Sequence, residues 1–327
     1  MTMTDNTLKT LKSTYKRSDV LLPSIERHVL KKAKEPSDRR SDIMHPSEMA
    51  KGDWCGRHDY YRIIDEPKNY KGRSPSFRLE NVFDYGHSVH AKYQRWLQEM
   101  GVMWGKWYCK ECGNTWLGDT PTSCDRCAGT DIKYNEVPFV SEEMMIAGHS
   151  DGIVNMDGVY KMIEIKTVGM GTLRFDAYSL FDKYQKENLT LDELWWNIKR
   201  PFASHVRQGQ IYLHLTQMLY PELGVDEIIF IYEWKPTQEV KEFSVKYNPE
   251  LIRGVLETAE LVAEAVRKGE PPTPPEWATK DGKKCASCEY RNTCWGEDND
   301  STQSEEVKPT IRIKRSTTAK RGRAIRS

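Results

Sequence analysis

No stretch of these 327 residues approaches the roughly 18 or more consecutive apolar residues that a membrane-spanning helix needs. The N-terminus, MTMTDNTLKTLKSTYKRSDV, lacks the apolar core of a secretion signal. Net charge is also missing, since 49 Lys and Arg face 48 Asp and Glu for a formal +1. Global charge therefore argues neither for nor against a nucleic-acid partner, and only local clusters can. Hydrophobic residues make up 38% of the chain, which is polar for a compact domain and predicts disordered ends. Together these absences predict a cytoplasmic protein with no membrane partner. There, the eight cysteines read as metal ligands before disulfides. The length suits one large domain or two small ones.

Four of the cysteines form Cys109-Lys-Glu-Cys112 and Cys124-Asp-Arg-Cys127, two Cys-x2-Cys knuckles separated by eleven residues. Facing knuckles of this spacing make a tetrahedral thiolate cage for zinc, and with all four positions filled the site is structural rather than catalytic. The alternative, a disulfide pair, suits an oxidising compartment better. Gly113 and Gly129 fit the tight turns that bring backbone amides to the sulfurs. Residues 104–132 are too few to bury a core alone, so this zinc ribbon is expected to need its metal to fold. Cys285, Cys288 and Cys294 form a second array, Cys-x2-Cys-x5-Cys. Three thiolates leave it incomplete, because structural zinc and iron–sulfur clusters generally take four. Cys55 is the one cysteine left over. A lone cysteine is more often a small core residue, so this count is what makes Cys55 a ligand candidate. A site joining residues 55 and 285 would remove on the order of 4–5 kcal/mol of unfolded-state entropy if it acts as a crosslink.

Along the chain, residues 1–42 read as a flexible N-terminal arm with one weak helical pattern over 20–30. Ser47 is a plausible N-cap for a short helix carrying Cys55 near its end. Residues 63–80 look like a loop. The spacing of Val82, Gly86, Val89, His90, Tyr93 and Leu97 predicts a helix over 77–100. His90 shares a face with Gly86, Tyr93 and Leu97, where a histidine is more often a satisfied core residue than a ligand. Segments 136–140 and 144–147 read as strands. Residues 167–195 show little apolar periodicity and suggest an insertion or lid. A helix is expected over 195–220, broken at Pro201, with Gln208 and Tyr212 four apart on one face. The run Glu227–Trp234 reads as a central strand and 242–247 as an edge strand. Residues 249–268 form an amphipathic helix, and Pro271-Pro-Thr-Pro-Pro275 an extended linker. Residues 308–327 carry eight Lys or Arg and no acid, either a solubilising tail or a non-specific phosphate-binding arm.

Residues 148–166 read as two short strands around the turn Asn155-Met-Asp-Gly158. Asp151 lies on the first strand, and Glu164 and Lys166 project together from the second, opposite Ile163 and Ile165. A polar hairpin face is usually just solvated, but this one has companions elsewhere. Gly86-x3-His90, Gly148-His-Ser-Asp151, Glu164-Ile-Lys166, Gln208-x3-Tyr212, and Cys55 with Cys285, Cys288 and Cys294 occur in the order of one known family. With them the chain resembles the RecB-like branch of the PD-(D/E)XK nucleases, specifically the CRISPR-associated and phage-encoded exonucleases that carry an iron–sulfur cluster. The resemblance covers residues 43–295; the ribbon and the length of 167–195 depart from the simplest family pattern.

The resemblance implies an α/β fold, a PD-(D/E)XK restriction-endonuclease-like core with a mixed central sheet flanked by helices. The ribbon at 104–132 would be inserted in it, a cluster-binding segment would lie at 283–295, and 296–327 would be a disordered basic tail. It implies a hydrolase, a Mg2+- or Mn2+-dependent DNA exonuclease working on single strands or DNA ends in recombination, repair or replication. His90, Asp151, Glu164 and the carbonyl of Ile165 would bind Mg2+ or Mn2+. Lys166 would orient or help deprotonate the attacking water, and Gln208 and Tyr212 would contact DNA or position the lysine. Glu136 is an extra acid near this set. Cys55, Cys285, Cys288 and Cys294 would hold a 4Fe-4S cluster, although four thiolates also suit zinc. An endonuclease, a catalytically silent DNA-binding scaffold and a different metal-dependent hydrolase stay open at this stage, as do homo-oligomerisation and phage or host recombination partners.

Overall fold

The structure, a computed structural model, describes residues 20–35, 39–65 and 76–296. The basic tail, the first part of the N-terminal arm and the middle of the expected loop at 63–80 lie outside them. Helix α1 (Leu22–Lys32) precedes the short α2 (Pro46–Met49), then α3 (Gly56–Ile64) and the long α4 (Phe77–Glu99). Seven strands follow: β1 (Met103–Cys109), β2 (Thr115–Asp119), β3 (Ile132–Asn135), β4 (Val137–Ser141), β5 (Ile146–Ser150), β6 (Gly152–Met156) and β7 (Val159–Val168). Three short helices, α5 (Met170–Asp176), α6 (Tyr178–Glu187) and α7 (Leu191–Trp196), lead into α8 (Ala203–Leu219). Strands β8 (Glu227–Trp234) and β9 (Val240–Lys246), helix α9 (Arg253–Lys268) and the short α10 (Lys283–Ala286) and α11 (Arg291–Trp295) complete the described chain.

The main sheet is mixed, in the order β2-β1-β6-β7-β8-β9, with β3 also on β1. Only β7 and β8 run parallel, and the chain between them supplies the crossover that parallel pairing requires. The runs of β-branched and aromatic residues in β7 and β8 suit interior positions covered on both faces. On one face, Ile163 and Ile165 pack with Val89 of α4 and with Met103, Trp107, Tyr134 and Val154. On the other, Met162 and Val168 join Ile211, Leu213 and Leu215 of α8. A second sheet, β4 with β5, lies over the outer side of α8, where Phe139 meets Tyr212 with ring centroids 5.5 Å apart. Helix α8 is thus covered from two sides, and seven residues between Gly209 and Thr216 are buried. A helix that is apolar most of the way round belongs inside.

Gly209 is where α8 approaches the sheet most closely. A Cβ there would stand 2.8 Å from Ile228 and 2.9 Å from Phe230, both fully buried. Gly209→Val is expected to destabilise the fold by about 1–3 kcal/mol through overpacking. The check is a lower denaturation midpoint at an unchanged denaturant slope.

Several local expectations are corrected. His45 rather than Ser47 occupies the N-cap position of the first helical turn, without a side-chain capping bond, and Cys55 stands at the N-cap of the next helix instead of near the end of the first. Pro46 explains the former, because its fixed φ and missing N–H favour the opening turn. The break expected at Pro201 is present but spans residues 197–202, and the helix before it starts at Leu191 rather than Trp195. Residues 167–195 are largely helical, and a capping box between Thr190 and Glu193 starts α7. The four-cysteine segment is not a separate module. Its strand β1 pairs with β2 over Trp104–Tyr108, with β3 over Lys106–Cys109, and with β6 through Met103↔Val154 and Trp104↔Ile153. Of its two expected glycine turns, Gly113 has φ 71°, but the second positive φ falls on Ala128 rather than Gly129.

Candidate active site

Asp151 does not lie on a strand. It occupies the bend between β5, which belongs to the small sheet, and β6, which belongs to the main one. The Ser-Asp-Gly run at 150–152 is compatible with such a bend, but the strands on either side read as one. The bend turns the Asp151 carboxylate onto β7, where Oδ2 accepts a hydrogen bond from the Ile165 backbone N–H at 2.6 Å. Oδ1 faces Nδ1 of His90 on α4 at 2.8 Å. Gln94, one helical turn after His90, donates to the Asp151 carbonyl at 2.9 Å and to Glu136 Oε1 at 3.4 Å. The Tyr134 hydroxyl donates to the same carbonyl at 3.2 Å. Gln94 and Tyr134 escaped the sequence reading, although the i, i+4 relation of Gln94 to His90 was a usable signal.

Glu164 and Lys166 project from β7 on the side of α8. Lys166 Nζ lies 2.6 Å from Glu164 Oε1 and donates to Gln208 Oε1 at 3.1 Å. Tyr212 follows Gln208 by one turn of α8. Tyr212 is only 4% exposed, and a Cβ on Gly148 would come within 2.8 Å of its hydroxyl. Tyr212 is thus packed behind Gln208 and cannot reach a bulky ligand. His90, Asp151, Ile165, Glu164, Lys166 and Gln208 thus form one connected cluster. His90, Glu136 and Asp151 bring ligand atoms within 4.8 Å of one another, the spread of a single ion's shell, whereas Glu164 leans toward Lys166.

The electrostatics show crowding. Burial pushes the Glu164 carboxyl up to about 7, with Lys166 pulling it down and Asp151 pushing it further up. Burial also raises Glu136, and the Asp151 charge adds to the effect. His90 is raised because its hydrogen bond to Asp151 and that carboxylate's charge outweigh burial. Burial opposes the charge on Lys166, but the Glu164 and Asp151 carboxylates more than offset it, so the ammonium is held charged. Three buried or half-buried carboxyls beside one lysine are an excess of negative potential that a cation would relieve.

No protein-family model and no curated protein matches the chain. Solved structures do. The alkaline exonuclease LHK-Exo from Laribacter hongkongensis matches at 8% identity and a TM-score of 0.37, over 74% of this chain and 93% of its own. Its complex with dAMP matches at 11% and 0.35, over 70% and 90%. SSO0001 matches at 14% and 0.37, over 85% and 98%.

The cysteines form two different groups. Cys109, Cys112, Cys124 and Cys127 gather their sulfurs within 4.8 Å and make up a group able to hold a metal ion. Cys109 lies 3.6 Å from Cys127 and Cys112 lies 3.7 Å from Cys124. The Gly129 amide reaches the Cys127 sulfur at 3.4 Å. Crowding splits the thiols. Backbone amides of Arg126 and Cys127 outweigh burial and draw Cys124 down to about 7. Cys127 is pushed up to about 12, its neighbouring thiols overriding the Gly129 amide. Cys55, Cys285, Cys288 and Cys294, by contrast, line one cavity with His58, Tyr61 and Tyr290. They are absent from the groups whose ligand atoms close to 4.8 Å, so they surround a space rather than collapse onto a point. Helix packing brings them there: Gly56, next to Cys55, lets α3 sit against Thr258 and Val262 of α9.

Proposed function

We propose that this chain is a divalent-metal-dependent deoxyribonuclease of the PD-(D/E)XK type, an exonuclease on single-stranded DNA or DNA ends in recombination, repair or replication. The observation that carries the proposal is the buried convergence of Asp151, Glu164 and a charged Lys166 held by Gln208. Such a grouping is costly for a core unless a cation and an anionic substrate use it. The donor set of carboxylates with one imidazole fits Mg2+ or Mn2+, and the imidazole favours manganese. When bound, the ion would lower the pKa of its water and offset charge on the phosphate.

The chain's own residues do the rest. Asp151 accepts the Ile165 amide with Oδ2 and faces His90 with Oδ1, so an ion bound between Oδ1 and the imidazole would replace their mutual contact. The hydrogen bond from the amide fixes the backbone at Ile165, whose own carbonyl, in the following peptide, is a further ligand candidate. Glu136 and Glu164 supply charge from either side. Gln208 fixes Lys166 so that its ammonium can orient the attacking water and meet the phosphate. The experiment is digestion of end-labelled single- and double-stranded DNA with Mg2+ and with Mn2+. Release of short products is expected. Failure to degrade either substrate, with Asp151→Ala indistinguishable from the parent protein, would overturn the proposal.

The two thiolate groups receive different metals in this reading. A Zn–S bond of about 2.3 Å places tetrahedral sulfurs roughly 3.8 Å apart, close to the 3.6 and 3.7 Å of the first group, which supports structural zinc. The wider second set suits a cluster better than one ion and supports 4Fe-4S ligation, which would staple α3 to the segment after α9. Purified protein is expected to be brown with broad visible absorption, to be bleached in Cys288→Ser, and to contain iron as well as zinc. A colourless protein containing zinc alone would count against the cluster.

A further inference from the structure

The three most exposed large aromatic side chains among the described residues belong to one segment, the short helices between β7 and α8: Phe175 at 82%, Tyr178 at 67% and Trp196 at 65%. Open exposure of that much ring has no role in folding. Phe175 and Tyr178 flank Asp176 at the junction of α5 and α6. The Asp176 carboxylate accepts a hydrogen bond from Ser204 on α8 at 2.5 Å. Ser204 stands one helical turn before Gln208, the residue that holds Lys166, and the Asp176 charge is felt at Lys166 itself. The two rings are thus fastened about one helical turn from the proposed active site.

The local charges fit an anionic strand. On α6, Lys186 is paired with Asp182 and Lys183 with Glu187. Arg174, Lys199 and Arg200 are exposed and form no ion pair with the described residues. Arg174 precedes Phe175 in the chain, and Lys199 and Arg200 lie in the connection into α8, whose Ser204 holds Asp176. Cations and exposed aromatic rings on one segment are the combination by which single-stranded nucleic acid is bound without sequence preference.

We infer that Phe175 and Tyr178 form a stacking platform that receives unpaired bases of a DNA strand, with Arg174, Lys199 and Arg200 meeting its phosphates. The inference rests on the nuclease reading, and its test separates the two. Full-length protein, with Mg2+ and Mn2+ omitted to prevent digestion, is titrated with three fluorescent probes. These are an oligothymidylate, an abasic strand of equal length and a blunt duplex. Phe175→Ala and Tyr178→Ala are each expected to weaken oligothymidylate binding by roughly tenfold or more. Abasic-strand and duplex binding should stay as in the parent protein. Phe175→Trp should restore binding and Phe175→Leu should not, which separates stacking from simple apolar cover. Both positions are exposed, and unchanged thermal unfolding of the variants confirms intact folding. Equal oligothymidylate binding by parent and variants, or a loss shared by the abasic strand, overturns the platform while leaving the nuclease reading intact. A parent protein that binds none of the probes overturns both.

Discussion

Asp151→Asn and Lys166→Ala are each expected to slow DNA hydrolysis by about a thousandfold, as loss of one preorganised charge at a reacting centre generally does. Asparagine keeps an oxygen for the Ile165 amide, which Asp151 now binds at 2.6 Å, so the bend between β5 and β6 should survive and the loss should fall on catalysis. Lys166→Ala removes the counter-charge of Glu164, which is 3% exposed. Orphaning a buried charge usually costs several kcal/mol, but burial already holds this carboxyl near 7, so it can take up a proton instead. The sign follows from linkage. A carboxyl raised from 4.5 to about 7 on folding contributes stability that is fully present below 4.5 and is lost as pH rises through about 7. Without Lys166 the raised value climbs further, so the variant's loss of stability should grow with pH. Initial rates on end-labelled DNA and melting temperatures at pH 6 and 8 measure the two effects. A variant that keeps a tenth of the parent activity, or melts equally below the parent at both pH values, contradicts the roles assigned to these side chains.

Cys124→Ser is expected to cost more stability than any other single change considered. Structural zinc sites in isolated peptides contribute about 10–16 kcal/mol at neutral pH, comparable to the whole stability of a typical domain at roughly 5–15 kcal/mol. Cys124 is 1% exposed, and β1, which ends in Cys109, pairs directly with β6. Release of the metal should therefore loosen the central sheet as well as the four-cysteine segment. The variant is expected to lose one zinc per chain and to melt well below the parent or accumulate as aggregate. Unchanged metal content and an unchanged melting curve would show that the four sulfurs do not form a structural site.

Strong local patterns were readable in the sequence. Strands β8 and β9 follow from their β-branched and alternating residues, α4 from its 3.6-residue period, and the turn before β7 from Asp-Gly. The pairing of two cysteine knuckles was equally plain, because ligand spacing is a local property. What the sequence hid depends on tertiary context. The stretch before the turn at 155–158 reads as one strand carrying Asp151; Ser150-Asp151-Gly152 permits a bend, but a local signal cannot say that the chain changes sheets there. The helices of 170–196 are short and carry charges paired along their own surface, so their apolar period is faint. Glu136 could be named from the sequence only as an extra acid near the set; its grouping with His90 and Asp151 within 4.8 Å is a product of the fold. The sharing of β1 between the cysteines and the main sheet is likewise a fact of pairing that spacing cannot express.

The one-residue bend at Asp151 also fixes chain length. Side chains alternate along a strand, so adding or removing a residue between β5 and β6 would turn every following side chain of β6 to the opposite face. It would also draw the carboxylate off the Ile165 amide. Among descendants or designed variants of this chain, the bend should therefore admit no change in length.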